Sequence, residues 1–366
     1  MRTDLIYFNQ FRNLKTVEIY PHDGVNIIYG DNGQGKTNLL EAIWLFTGAQ
    51  SFRQAKNNEM IKFDTSFAQL KMNFYAQQRD QQAELRIEKV KTAILNGVKL
   101  TSASELNGRF CAIVFSPAHL TLVKGGPGER RRFIDGAICQ VMPRYSEILS
   151  AYNKILSQRN ALLKDCAKFP TLLDTIDVWD EKLCAMAGEI YIARKRYTAK
   201  LNRMAQDIYC GLAGENETFN MKYCTQDNNE YSNAAQFCDY YIKKLKESIG
   251  NDVAQGYTTK GVHRDDIDIY INGYSARAYG SQGQQRSAVL AMKLAEARLL
   301  EEITCEMPVA LLDDVMSELD IKRQDFILHH LDGWQVFISC CDPAPVMRQT
   351  GGCAFEVRDG SIIKSL

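Results

Sequence analysis

Apolar positions in this chain fall into three regimes. The first hundred residues carry short, strand-like runs. Leu5-Ile6-Tyr7-Phe8 is one, and Val25-Asn26-Ile27-Ile28-Tyr29 reads as a buried strand leading into a helix, Asn38 to Leu45. Residues 66–77 and 83–95 alternate apolar and polar and lead to Asn96-Gly97, a hairpin signal. A further apolar run, Cys111 to Phe115, stops at Ser116-Pro117. From about 117 to 250 helical spacing takes over. Leu172, Ile176, Trp179, Leu183, Met186, Ile190, Tyr197, Leu201 and Met204 recur at steps of three and four, with one step of seven past Ala193. A coiled coil and an amphipathic helix packed in a bundle both satisfy that stripe. Leu212 to Cys224 leaves room for an extended segment, and 230–248 reads as helix. After about 255, strand and helix alternate again: Ile267 to Ile271 closed by Asn272-Gly273, a long helix from 282 to 304, Val309 to Leu312, a short helix near 321–331, and Val336 to Ile338. The pattern predicts an α/β domain in two pieces, 1–115 and 253–366, with a helical arm domain, 116–252, inserted between them.

A length of 366 residues allows two or three domains and a sizeable core. Hydrophobic content of 45% and charged content of 24% place the chain among ordinary globular proteins. Nothing resembles a secretory signal, and no apolar run reaches membrane-spanning length, so a cytoplasmic protein with no membrane partner is expected. The 11 cysteines form no C-x-x-C pair and the 5 histidines no HExxH spacing, which argues against a zinc ribbon and for reduced thiols. Lys+Arg of 44 balances Asp+Glu of 44. A neutral chain has no bulk attraction for nucleic acid, so DNA binding would need local basic patches or a surface completed by dimerisation.

The stretch Gly30-Asp31-Asn32-Gly33-Gln34-Gly35-Lys36-Thr37 fits the strand–GxxxxGK(S/T)–helix context of a phosphate-binding P-loop. Its backbone N–H groups would cradle the phosphates of ATP, Lys36 would reach the β- and γ-phosphates, and the Thr37 hydroxyl would sit on Mg²⁺. Val309 to Asp314, VALLDD, is an apolar strand ending in two carboxylates. Asp313 suits the acidic residue that holds this Mg²⁺, through a water, and Asp314 the residue that orients or deprotonates the attacking water. Met316-Ser317-Glu318-Leu319-Asp320 follows, where either a D-loop or a simple helix cap at Ser317 and Glu318 is consistent. Gly280-Ser281-Gln282-Gly283-Gln284-Gln285-Arg286 precedes the long helix and is similar to the signature loop of ABC-type ATPases, with Gln282 in place of the first of two glycines. In that reading Ser281, Gly283 and Gln284 contact, in trans, the γ-phosphate of ATP held on a second protomer. ATP would then join two heads and hydrolysis would release them.

These motifs, with Phe11-Arg12-Asn13-Leu14, Phe115-Ser116-Pro117, Gly128-Glu129-Arg130-Arg131-Arg132-Phe133-Ile134-Asp135, Gly261-Val262-His263-Arg264-Asp265-Asp266, SQGQQRS and LLDDVMSELD, resemble the RecF family over nearly the whole chain. RecF proteins are bacterial replication and repair ATPases related to the SMC proteins. The resemblance implies an ABC-type P-loop ATPase head with an inserted helical arm. It implies ATP-dependent homodimerisation on single-stranded and duplex DNA, weak ATPase activity, recombination-mediator partner proteins that help load recombinase at gaps, and a part in the SOS response. Two positions depart from the family pattern. Val262 stands where proline is usual. Cys340-Cys341 follows the strand Val336 to Ile338, where transporters carry a γ-phosphate-sensing histidine and RecF-like proteins a threonine; Cys341 is aligned with that position.

The basic runs have two readings. Arg130, Arg131 and Arg132, and Arg194, Lys195 and Arg196 with Lys200 and Arg203, are either DNA phosphate contacts or members of internal ion pairs and solvated faces. Arg12 and Asn13 lie either by the base or ribose or in a plain turn, and His263 to Asp266 form either a phosphate sensor or a salt-bridge network. Among rival classes, an ABC transporter ATP-binding subunit is disfavoured by the long insert, the altered signature and the missing histidine. A small-molecule P-loop kinase has no use for a signature loop. An SMC-like nuclease would need an added acidic cluster, which the sequence lacks.

Overall fold

The computed structural model describes residues 1–366 apart from 167, 215 and 366. The chain divides into two compact units, Met1–Thr121 with Val289–Leu366, and Leu122–Ala288. The inserted unit is longer than the 116–252 read from the pattern. The reason is pairing: Asp266–Ile271 runs antiparallel to Phe219–Cys224, so the strand expected in the head belongs to the insert.

In the first unit, one six-stranded sheet has the order Ser361–Ser365, Cys353–Arg358, Val25–Tyr29, Val336–Cys340, Val309–Asp313, Ala112–Phe115. Every neighbouring pair is parallel except the terminal hairpin. Parallel strands are covered on both faces, which is why VALLD and AIVF are buried at every position and read as continuous apolar runs. The second six-stranded sheet is antiparallel, ordered Val17–Ile19, Arg2–Asn9, Ala68–Ala76, Arg79–Ile87, Lys91–Leu95, Val98–Lys99. Here the strands alternate: Ala68, Leu70, Met72, Phe74 and Ala76 are buried. One apolar cluster joins both sheets to Leu39, Leu40 and Ile43 of the helix Lys36–Trp44. The alternating run 83–95 is two strands, broken at 88–90. Asn96-Gly97 turns as expected, with φ of 50° and 80°. A second turn with both residues at positive φ, Gln77-Gln78, carries no glycine or asparagine to announce it.

The second unit contains the helices Pro127–Val141, Pro143–Cys166, Ile176–Ala213 and Ala234–Gln255, and a three-stranded sheet of Tyr274–Ser275, Asp266–Ile271 and Phe219–Cys224. The heptad-like stripe resolves in favour of the bundle. Ile176, Leu183, Ile190, Tyr197 and Leu201 are buried, but so is a second line of Asp180, Cys184, Ala187, Tyr191, Arg194 and Thr198, while Trp179, Met186 and Met204 are half-buried. A face that wide packs against several neighbours rather than along a two-stranded seam. At Gly188 a Cβ would lie 2.6 Å from the carbonyl oxygen of Ala234, so the two helices approach through glycine. No helix among the described residues is long and apolar enough to cross a membrane.

Candidate functional site

The P-loop links the strand Val25–Tyr29 to the helix Lys36–Trp44. Gly30 has φ 148°, and a Cβ there would lie 2.3 Å from the Val357 carbonyl oxygen. Gly35 has φ 120°, with Asn13 Oδ1 at 2.9 Å from its virtual Cβ. Both positions therefore require glycine for conformation and for space. Asp31, Asn32 and Gly33 are exposed at the tip. The loop is clamped from two sides. Asn13 Nδ2 donates to Gly33 O at 3.0 Å, and Asn13 Oδ1 accepts from Asn38 Nδ2 at 2.7 Å. On the other side, Asp359 N donates to Gln34 Oε1 at 2.6 Å and Gly360 N to Gln34 O at 3.1 Å. The Lys36 ammonium is folded over the loop, donating to Gly30 O at 2.7 Å and Asp31 O at 3.1 Å.

Asn13 thus supports the loop, whereas Arg12 turns away from it. Its guanidinium grips the fully buried Glu41 carboxylate through Nε at 2.5 Å and an Nη at 2.8 Å. Ser51 Oγ donates to the same carboxylate. Arg12 is therefore a member of an internal ion pair.

Strand order assembles the acidic side. Val336–Cys340 lies between the P-loop strand and Val309–Asp313, with Asp313 opposite Ser339. Thr37 Oγ1 donates to Asp313 Oδ1 at 2.7 Å, and Ser339 Oγ donates to the same oxygen at 2.9 Å. Burial pushes the Asp313 carboxyl up from its ordinary value, and the two hydroxyls oppose that shift. Thr37 and Asp313, read from the sequence as a metal pair, are brought together. Ser339 was not singled out; its only signal is a polar residue within the apolar run VFIS. Asp314 takes the left-handed conformation, φ 51°. Its N–H is held by Ser339 Oγ at 2.9 Å and its carbonyl accepts from Ser317 Oγ at 2.8 Å. The helix Ile321–His330 is capped by Asp320, not by Ser317 or Glu318, which lie in the preceding turn Met316–Glu318. Cys341 is exposed and faces the P-loop, its Sγ 3.8 Å from Lys36 Nζ and 3.4 Å from Asn32 Oδ1. Cys340 ends the strand instead, and burial pushes its thiol up to about 12.

In the second unit, Ser281 and Gln284 close a reciprocal cap on the helix Gln282–Thr304. Ser281 N donates to Gln284 Oε1 at 2.9 Å and Gln284 N to Ser281 Oγ at 3.2 Å. Gln284 Nε2 also donates to Glu217 Oε1 at 2.9 Å. Gly283 lies inside this first turn, at the helix N-terminus where the positive end of the helix dipole favours an anion.

The basic runs divide. Arg130 is a correction: its side chain is buried, paired in bidentate fashion with Asp266 at 2.7 and 2.8 Å, and donates to Leu122 O and Gly125 O. Arg194 is a second correction, buried and paired with Asp135 through two bonds of 2.8 Å. Arg131 is half-buried and donates to Asp265 O at 2.6 Å. Arg132 is exposed beside Glu129, Lys195 is paired with Glu230 at 3.2 Å, and Arg196 is exposed. A guanidinium enclosed with a carboxylate cannot reach a phosphate without breaking that pair, so Arg132, Lys195 and Arg196 remain as the candidate DNA contacts from these runs.

His263 to Asp266 is the structural network of the two alternatives. Tyr152 Oη lies 2.7 Å from His263 Nδ1, and Tyr223 Oη donates to Asp265 Oδ2 at 2.5 Å. Burial lowers the His263 imidazole to about 4 and raises the Asp265 carboxyl to about 6. The signs oppose. Stability tied to neutral His263 is present above its unfolded value near 6.5 and is lost as pH falls toward 4. Asp265 works the other way: its protonation, from about 6 down to its unfolded value near 3.9, stabilises the fold. The parent is therefore expected to show a shallow stability profile between pH 6.5 and 4. His263→Asn should become more stable relative to its own neutral-pH value across that window. Urea unfolding at stepped pH checks this, and parallel parent and variant profiles would refute it.

The comparisons with known proteins agree with this geometry. The family profile described as RecF/RecN/SMC N terminal domain matches residues 4–350. The DNA replication and repair protein RecF of Ruminiclostridium cellulolyticum is 40% identical over 92% of this chain and 91% of its own. That of Clostridium acetobutylicum is likewise 40% identical, over 92% and 91%. The solved structure of the recombination mediator protein RecF-ATPrS in the RecFOR pathway superposes with a TM-score of 0.93 at 36% identity, covering all of this chain and 98% of that one. An Smc head bound to the C-winged helix domain of ScpA shares the fold at 17% identity, with a TM-score of 0.55.

Proposed function

The chain belongs to the RecF family of DNA replication and repair proteins, and from that premise we propose that it is an ATP-operated clamp on DNA. In this reading ATP binds at Gly30 to Thr37 of one protomer and its γ-phosphate is gripped by Ser281, Gly283 and Gln284 of another. The relatives are repair proteins, so the transporter-subunit reading falls away. The observation that supports the proposal is that one chain carries both a glycine-strained P-loop beside Asp313 and a capped Ser281 loop at a helix N-terminus.

Thr37 and Asp313 fit Mg²⁺, because the buried Asp313 Oδ1 accepts from the Thr37 and Ser339 hydroxyls, an oxygen set of the kind a hard cation takes. When bound, the ion would neutralise charge on the β- and γ-phosphates. Lys36 exchanges loop carbonyls for phosphate oxygens. Asp314 holds the attacking water. Single-stranded and duplex DNA, recombination-mediator repair proteins, a role in SOS induction and a cytoplasmic location complete the proposal, as family membership implies.

Light scattering with and without Mg-ATP tests it. The parent is expected to dimerise, while Lys36→Ala and Ser281→Arg stay monomeric, and DNA binding should strengthen only in the parent. If both variants dimerise like the parent, ATP is not held between a P-loop and a signature loop.

A further inference from the structure

Two large aromatic side chains stand in solvent just ahead of the Ser281 loop. Tyr279 is 77% exposed and Tyr274 is 68% exposed. Their rings meet edge to face, with centroids 6.3 Å apart. Neither has a part in the site described so far. Both are held on a fixed base. Tyr274 pairs with Ile271 of the neighbouring strand, and Tyr279 ends the short helix Ala276–Tyr279, whose Ala276 is fully buried. Gln285 Nε2 donates to Ala276 O at 2.9 Å and to Gly280 O at 3.0 Å, which ties that short helix to the one carrying the Ser281 loop. A Cβ at Gly280 would lie 2.6 Å from Ala276 O, so the join is tight. The aromatic pair and the signature loop are thus one surface element.

Tyr279 is two residues from Ser281, a span of at most about 7 Å. A nucleoside triphosphate with its terminal phosphate at Ser281 extends farther than that, so the rings lie within one nucleotide's length of the loop. Exposed aromatic faces are stacking surfaces for bases. We propose that Tyr274 and Tyr279 form a stacking platform for the ribose and base of the nucleotide bound to a second copy of this chain. This rests on the two-protomer reading above. The platform acts on dimerisation and not on nucleotide binding to a single protomer, because within one protomer the P-loop holds the nucleotide.

The full chain is titrated with Mg-ATP and with 2-aminopurine riboside triphosphate, following dimers by light scattering and the probe by fluorescence. The parent should dimerise and quench the probe as it does so. The double variant Tyr274→Ala/Tyr279→Ala should need about tenfold more nucleotide for half-dimerisation. It should also lose the quench that accompanies dimerisation, and bind nucleotide normally at protein concentrations too low to dimerise. Tyr279→Phe keeps the ring and should behave as the parent. A double variant that dimerises and quenches like a dimerising parent overturns the platform and leaves the two-protomer reading intact. A parent that stays monomeric overturns both. Lost DNA binding with unchanged dimerisation would assign the rings to DNA and equally overturn the inference.

Discussion

Replacing Arg194 with alanine is expected to cost the inserted unit about 3–5 kcal/mol, the usual effect of removing one partner of a buried ion pair. The guanidinium is 3% exposed and donates twice to Asp135, and once more, at 2.6 Å, to the carbonyl of Val262. Burial opposes its charge, but Asp135 more than compensates, and the group is held well above its ordinary range. Without it, Asp135 loses its bidentate partner and, among the hydrogen bonds of the described residues, keeps that of the Tyr145 hydroxyl, at 2.6 Å, while the Val262 carbonyl loses this donor. A buried carboxylate stripped of its ion-pair partner and a cavity then share one site. Arg196→Ala, two residues on and exposed, should shift stability by no more than about 0.5 kcal/mol. Urea unfolding of the two variants beside the parent makes the comparison. Equal, small shifts would show that the Arg194–Asp135 pair is not worth its burial. The same contrast separates the roles of the run: any loss of DNA affinity without loss of stability should follow Arg132, Lys195 or Arg196, not Arg194.

What the sequence conveyed, and what it withheld, follows from range. The P-loop, the VALLDD strand and the hairpin at Asn96-Gly97 are local: a few adjacent residues dictate backbone geometry, and glycines at strained positions announce themselves. The pairing of Thr37 with Asp313 was legible because two local motifs had complementary roles. Ser339 was not, since its importance exists only once the sheet places it opposite Asp313. The fate of the arginines was hidden for the same reason. Arg130 finds Asp266, and Arg194 finds Asp135, across 136 and 59 residues of chain. A run of three arginines looks like a charged surface in one dimension, while helical geometry turns its members to different sides. The strand Asp266–Ile271 was read correctly as a strand but assigned to the wrong unit, because periodicity reports burial and not the identity of the partner strand.

Asp314→Asn is expected to lower ATP hydrolysis by about 10²- to 10⁴-fold, the range of a general base, while leaving ATP-induced dimerisation intact. The two adjacent carboxylates are not equivalent. Asp313 is buried and shares one oxygen between Thr37 and Ser339, which suits the metal role proposed for it. Asp314 is half-buried, with its backbone fixed on both sides by Ser339 and Ser317 while its carboxylate accepts no hydrogen bond from the described residues. Its φ of 51° is a conformation that asparagine tolerates nearly as well as aspartate, so the substitution removes a base without disturbing the turn. Phosphate release at saturating Mg-ATP should fall, and the dimers should outlast those of the parent when free ATP is withdrawn. Asp313→Asn should behave differently: nucleotide affinity and its Mg²⁺ dependence fall first, and dimerisation falls with them. If Asp314→Asn hydrolyses ATP within a few-fold of the parent, Asp314 is not the base. If it fails to dimerise, the strained turn itself, rather than the carboxylate, is what the two-protomer assembly depends on.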